Sequence, residues 1–247
     1  MSLKIGINLT RYYSINFSLP KRGKNLIKFI ILHYTGMKKE SSAIKKLCDS
    51  KSKVSSHYFI KYNGQVLNLV PDLYKAWHAG KSSWGKFKSL NKYSIGIEIH
   101  NPGHQHGYKK FTSKQIFSLI KLLNYLTKKF KIKKENILGH SDISPNRKKD
   151  PGEKFPWREL AKKKFCIWHK LNEKKLKKNR SIKIKDYEEK LFLNNLRIIG
   201  YAKVNKHGFK KNKVALIKAF QRKFRQKFIN GKADKECFLI AKSLVKL

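Results

Sequence analysis

Three side chains in this sequence could hold a metal ion. His33 closes the apolar run Lys28-Phe-Ile-Ile-Leu-His33, and His140 follows the short run Asn136-Ile-Leu138 through Gly139. Asp150 comes ten residues after His140, across a loop with Pro145, Pro151, Gly152 and Pro156 that can bring it back to the same spot. Ligands and metals gather at strand ends, where the adjoining loops are free to shape a pocket. Two imidazoles and one carboxylate are a catalytic ligand set for zinc, because tetrahedral geometry leaves a fourth position open to water. A zinc ion so held acidifies that water and polarises a carbonyl. A lone strand-end histidine is more often a hydrogen-bonded structural residue, so the combination carries the argument. A second histidine pair, His104 and His106 in the loop 101–107, reads as a substrate rim or as support behind the metal ligands.

These residues need a sheet to position them. Residues 28–33 read as a buried strand, 57–61 and 65–70 as a hairpin turning at Tyr62-Asn63-Gly64, and 93–99 as a further strand. Ala43, Ile44 and Leu47 mark a helix over about 40–50. Thr112 and Gln115 form a capping box opening a long helix, with an apolar stripe of Ile116, Phe117, Leu119, Ile120, Leu123 and Leu126. A last helix of this part begins near Trp157. The fold class expected is α/β, a mixed central sheet flanked by helices, over residues 1–168. Residues 169–185 are Lys-dense and read as an exposed connector. Three helix-sized segments follow in 186–247, separated by Gly200, Gly208 and Gly231, and predict a second, small all-α three-helix domain.

The chain carries 59 Lys+Arg against 15 Asp+Glu, a formal net charge of +44. Of these, 24 basic and 6 acidic residues fall in 166–247, and 35 and 9 precede them, so the excess is spread over solvated faces. With no basic recognition helix or stacking motif, nucleic acid is at most a non-specific partner, and a carboxylate-bearing polymer suits the charge better. With 40% apolar residues the chain can build a core. Its three cysteines are far apart and read as free thiols rather than a disulfide framework. No stretch suits a membrane span, and the first twenty residues lack the apolar run of a secretion leader. Oligomeric state is not legible.

Five segments occur in order: Ile31-Leu-His-Tyr-Thr35, Ala76-Trp-His-Ala-Gly80, Ile95-Gly-Ile-Glu98, Gly139-His-Ser-Asp-Ile143 and Arg147-Lys-Lys-Asp-Pro-Gly152. Over roughly residues 25–165 the sequence resembles the type 2 N-acetylmuramoyl-L-alanine amidases, which include the AmpD and AmiD enzymes and are related to the peptidoglycan recognition proteins. The resemblance implies one zinc ion on His33, His140 and Asp150, Glu98 as catalytic carboxylate and Lys148 as catalytic cation, with Lys149 a competitor for that role. It implies a substrate-lining surface at Tyr34, His78, Ala79, Gly80, Trp84 and Asn101, with His57 structural. The expected substrate is peptidoglycan or a 1,6-anhydro-muropeptide, cut between N-acetylmuramic acid and L-alanine. A recognition protein without activity is the alternative, but such relatives lose a metal ligand that this sequence keeps. Residues 186–247, with Ala219-Phe-Gln-Arg222 and Gly231-Lys-Ala-Asp234, resemble a peptidoglycan-binding three-helix domain, although Lys235-Glu-Cys237 departs from its pattern. A binding domain implies a cell-envelope, periplasmic location; cytoplasmic recycling is the alternative.

Overall fold

The computed structural model describes residues 9–203 and 208–246. Its strands are β1 (Leu9–Arg11), β2 (Phe17–Ser18), β3 (Phe29–Tyr34), β4 (Tyr58–Ile60), β5 (Val66–Asn68), β6 (Lys75–Ala76), β7 (Ser83–Trp84), β8 (Phe87–Lys88), β9 (Ser94–Ile99) and β10 (Ile137–Gly139). The helices are α1 (Glu40–Cys48), α2 (Ser113–Phe130), α3 (His140–Ile143), α4 (Trp157–Lys162), α5 (Glu173–Lys178), α6 (Asp186–Ile199), α7 (Phe209–Phe224) and α8 (Lys235–Val245).

Six strands form one sheet in the order β1-β5-β4-β9-β3-β10. The β4–β5 hairpin is antiparallel and the other pairings in this sheet are parallel, so the sheet is mixed. The run that forms β3 is apolar at nearly every position because both faces of a central strand are covered. Ile30 and Leu32 on β3, with Ile95, Ile97 and Ile99 on β9, pack against α2 and Trp157. Phe29 and Ile31 point the opposite way, into a core shared with α6, α7 and α8. Strand alternation puts His33 on that same second face.

The capping box at Thr112 and Gln115 forms as expected: Thr112 Oγ1 accepts from Gln115 N, and Gln115 Oε1 accepts from Thr112 N. Phe117, expected on the apolar stripe of α2, is 60% exposed instead, while Leu122 takes a buried place. All three cysteines are free. Residues 169–185 are mostly exposed, as expected of a connector, but they are not without structure. They contain α5, bury Leu176 and Ile184, and bridge Lys183 to Asp234. Arg180 pairs with Glu236 at 2.7 Å, so apolar burial and an ion pair outweigh the lysine-rich composition. Within α6, Phe192 and Leu196 form the core, whereas Tyr187 and Leu191 face solvent.

Candidate metal centre and active site

Parallel register sets His33 of β3 directly beside Glu98 of β9, on one face at the carboxyl ends of the two strands. One position earlier on that face of β9 stands Gly96, where an added Cβ would come within 2.4 Å of His78 Cγ. The missing side chain makes the space into which the His78 ring inserts.

His78 then fixes the proton on His33. Ser94 donates its hydroxyl to Leu90 O at 2.6 Å, so Ser94 Oγ must accept from His78 Nε2, 3.1 Å away. His78 Nδ1 is thereby left as an acceptor for His33 Nε2–H at 3.0 Å. His33 Nδ1 is left with a bare lone pair. His140 reaches the same state more simply, since its Nε2–H donates to Ala79 O at 3.1 Å. Asp150 is drawn back to both because Ser141 N donates to Asp150 O at 2.8 Å.

The three freed atoms converge. His33 Nδ1, His140 Nδ1 and Asp150 Oδ2 stand 3.0 Å from one another, and all three residues are buried. Two lone pairs and a carboxylate oxygen meet with no proton assigned between them, an arrangement that repels itself unless a cation lies among them. Donors bound at 2.0–2.1 Å around a tetrahedral zinc stand about 3.3 Å apart, close to the separation found here. Burial, and then the neighbouring His140, push His33 down to about 4, which keeps its ring neutral and able to ligate.

Beside this triangle, the Glu98 carboxyl is pushed up to about 8, first by burial and then by the charge of Asp150, with Lys148 pulling the other way. Its Oε2 is shielded from solvent and has no hydrogen-bond partner. Turn hydrogen bonds from Arg147 N and Lys148 N to Ser144 O set the segment after α3. They leave Lys148 partly buried and Lys149 exposed, both on the groove wall. Of the two lysines, it is Lys148 whose charge acts on both His33 and Glu98.

A groove of about 400 Å³ runs over the centre from Tyr34, His104 and Gln105 to Met37, Leu47, Val54 and Trp77. Of the residues expected to line substrate, Tyr34 and His78 border this groove, although His78 spends both ring nitrogens on Ser94 and His33. Four others lie outside its wall. Trp84 is 5% exposed and packs edge-on against Tyr201. Ala79 is buried and contributes its carbonyl to His140. Asn101 is buried and ties Gly103 N and Lys109 O within its own loop. Gly80 is exposed beside Arg147. His57 sits in the interior, accepting from Gly96 N at Nδ1 (2.9 Å) and donating from Nε2 to Tyr74 O.

The sequence reading missed Ser94, a small polar residue in an apolar strand whose spacing announces nothing. It also missed Arg147, whose guanidinium holds Ala79 O and Lys81 O. A lone basic residue in so basic a chain gives no signal. His104 joins Tyr34 Oη (2.8 Å) to Glu153 (3.0 Å) at one wall of the groove.

Residues 22–153 match the family model for N-acetylmuramoyl-L-alanine amidase. The chain is 35% identical to N-acetylmuramoyl-L-alanine amidase AmiD of Escherichia coli over 89% of its own length and 82% of the relative's. It is 42% identical to the 1,6-anhydro-N-acetylmuramyl-L-alanine amidase AmpD of Haemophilus influenzae, over 42% of this chain and 55% of that one. Among solved structures, E. coli AmiD in complex with anhydro-N-acetylmuramic acid-L-Ala-D-gamma-Glu-L-Lys superposes with a TM-score of 0.79 at 33% identity, covering 93% of this chain and 91% of that one. AmpDh3 of Pseudomonas aeruginosa superposes with a TM-score of 0.76 at 28% identity, covering 93% and 94%. By the family match across the metal centre and by likeness along nearly its whole length, this chain belongs to the N-acetylmuramoyl-L-alanine amidase family and is an enzyme of that class.

Proposed function

We propose that this chain is a zinc-dependent amidase that hydrolyses the amide between the lactyl carbonyl of N-acetylmuramic acid, or its 1,6-anhydro form, and the L-alanine of the stem peptide. The observation that carries the metal reading is the convergence of His33 Nδ1, His140 Nδ1 and Asp150 Oδ2, with both imidazole protons committed elsewhere. When bound, a zinc ion supplies Lewis acidity to the scissile carbonyl and lowers the pKa of water. Glu98 faces the groove, and its ionised carboxylate takes the proton of the attacking water and returns it to the alanine nitrogen as the C–N bond breaks. Lys148 donates a hydrogen bond to the carbonyl oxygen as negative charge develops there. Tyr34 borders the bound substrate at one end of the groove.

The substrate is peptidoglycan or a soluble anhydro-muropeptide of the kind held in the AmiD structure, and the site of action is the cell envelope. Supporting this is the likeness to AmiD, which extends through the C-terminal helices, whereas the likeness to AmpD of H. influenzae spans 42% of the chain. Residues 186–247 would hold the polymer. Among the described residues no helix is long and apolar enough to cross a membrane. Any binding of nucleic acid would be non-specific.

Mass spectrometry of digested sacculi and of soluble anhydro-muropeptides tests the assignment. Free peptides beginning with L-alanine, together with unbroken glycan, are expected. Cleavage between amino acids or between sugars would refute the bond assignment.

A further inference from the structure

We infer that the C-terminal helices position the metal ligands, with Lys223, Tyr201 and Gln226 acting as positioning residues for His140 and Asp150. This rests on the metal reading above. The helix that begins with His140 is a single turn, His140–Ile143, too short to hold its own shape. Two residues along it, Asp142 is 1% exposed and gathers its partners from elsewhere. Its Oδ2 accepts from Gly139 N at 2.8 Å and from Lys223 Nζ at 3.0 Å, and its Oδ1 accepts from Tyr201 Oη at 2.7 Å.

Lys223 belongs to α7 and is 2% exposed. Its ammonium also donates to Ile137 O at 3.2 Å and lies 4.4 Å over the ring of Trp157. A charge from the C-terminal unit has thus been taken out of water to meet a carboxylate two residues from a metal ligand. Apolar isosteres of such buried pairs are often as stable, so stability alone gives little reason for a charge here. The pair fixes the direction in which α3 leaves β10, and with it the aim of the His140 ring.

Past the end of α7, Gln226 Nε2 donates to Glu153 O and Phe155 O, both at 2.6 Å, and so grips the loop that follows Asp150. One stretch of chain, 223–226, therefore holds both ligand-bearing segments from behind. Neither Lys223 nor Asp142 lines the groove, so their part is to position rather than to touch substrate.

The test uses the full chain. Zinc affinity is measured by competition with a chromogenic chelator, alongside kcat and KM on a soluble anhydro-muropeptide and hydrogen exchange over residues 137–156. Lys223→Met is expected to weaken zinc binding about 10–100-fold, the range for residues that orient ligands, and to lower kcat with little change in KM. Tyr201→Phe and Gln226→Ala remove hydrogen bonds without stranding a charge. Both are expected to weaken zinc several-fold and to speed exchange over 137–156. Adding Asp142→Asn to Lys223→Met removes the unpaired carboxylate and is expected to restore part of the affinity. Folded Tyr201→Phe and Gln226→Ala proteins with wild-type zinc affinity, kcat and exchange would overturn the inference, since a purely structural contact would lower only the melting temperature. If the wild type binds zinc no better than His140→Ala, the metal reading fails instead.

Discussion

Single hydrogen atoms decide whether the His33–His140–Asp150 triangle can hold a cation. The Ser94 hydroxyl is committed to Leu90 O, and that commitment passes through His78 to leave the His33 lone pair facing inward. Ser94→Ala breaks the relay at its base and lets His78 adopt the tautomer that competes with His33. Zinc affinity should fall about tenfold, roughly 1.4 kcal/mol, in a chelator competition. Unchanged affinity would mean that the tautomer is set otherwise. Glu98 offers the complementary prediction, because it faces the groove with Oε2 free of any hydrogen-bond partner. Glu98→Gln should keep fold and zinc while kcat falls about 10²–10⁴-fold, the range for a lost general acid–base group. Retained turnover would remove Glu98 from the mechanism. Between the two lysines, Lys148→Ala should cost about 10²-fold in kcat and Lys149→Ala little, since only the Lys148 charge reaches both Glu98 and His33.

Strand β9 carries Glu98 on the same face that leaves Gly96 open for His78, and that strand is pinned by His57. Gly96 N donates to His57 Nδ1 at 2.9 Å, so Nδ1 must stay unprotonated. Burial, and then the charge of Arg22, hold His57 down at about 3. A histidine with a folded pKa below its unfolded value of 6.5 destabilises the fold as pH falls through 6.5, because the unfolded chain takes up the proton first. Stability of the metal-free protein from this residue is therefore complete above about pH 6.5. It should be lower by about 2 kcal/mol at pH 5, and the loss levels off only near pH 3. Chemical denaturation of chelator-treated protein from pH 8 to 5 measures it, and a His57→Gln variant should show a shallower fall. A slope that is the same in the variant would place the acid sensitivity elsewhere. The element scale is also where the sequence was most legible. Strand ends at His33 and His140, the hairpin and the Thr112 cap are local signals of periodicity and turn chemistry, and they form where expected. The burial of Trp84 was not legible, because what covers it is Tyr201, more than a hundred residues away. In 169–185 the lysine-rich composition announces exposure, but not that Leu176 and Ile184 join an apolar cluster with residues far along the chain.

At the scale of the molecule, the C-terminal helices form one side of the sheet's own core. Phe29 and Ile31 from β3 and Leu138 from β10 share an apolar cluster with Phe192, Phe220 and Phe224. Helices so docked cannot swing freely on a tether, so if they hold polymer as proposed, they present it to the groove in a fixed relation. Capture of that polymer then depends on how it first meets the surface. The formal charge of +44 is distributed over both parts of the chain, and a cross-linked wall presents its stem-peptide carboxylates as an extended array. Long-range attraction between extended opposite charges raises encounter rates and is screened within a Debye length of about 10 Å at 0.1 M salt. A short soluble muropeptide, with few carboxylates, gains much less from that field. Raising salt from about 0.05 to 0.5 M should therefore lower turnover of sacculi several-fold more than turnover of a soluble anhydro-muropeptide. Equal salt dependence on the two substrates would show that the charge does not serve capture of the wall, leaving it as a property of composition alone.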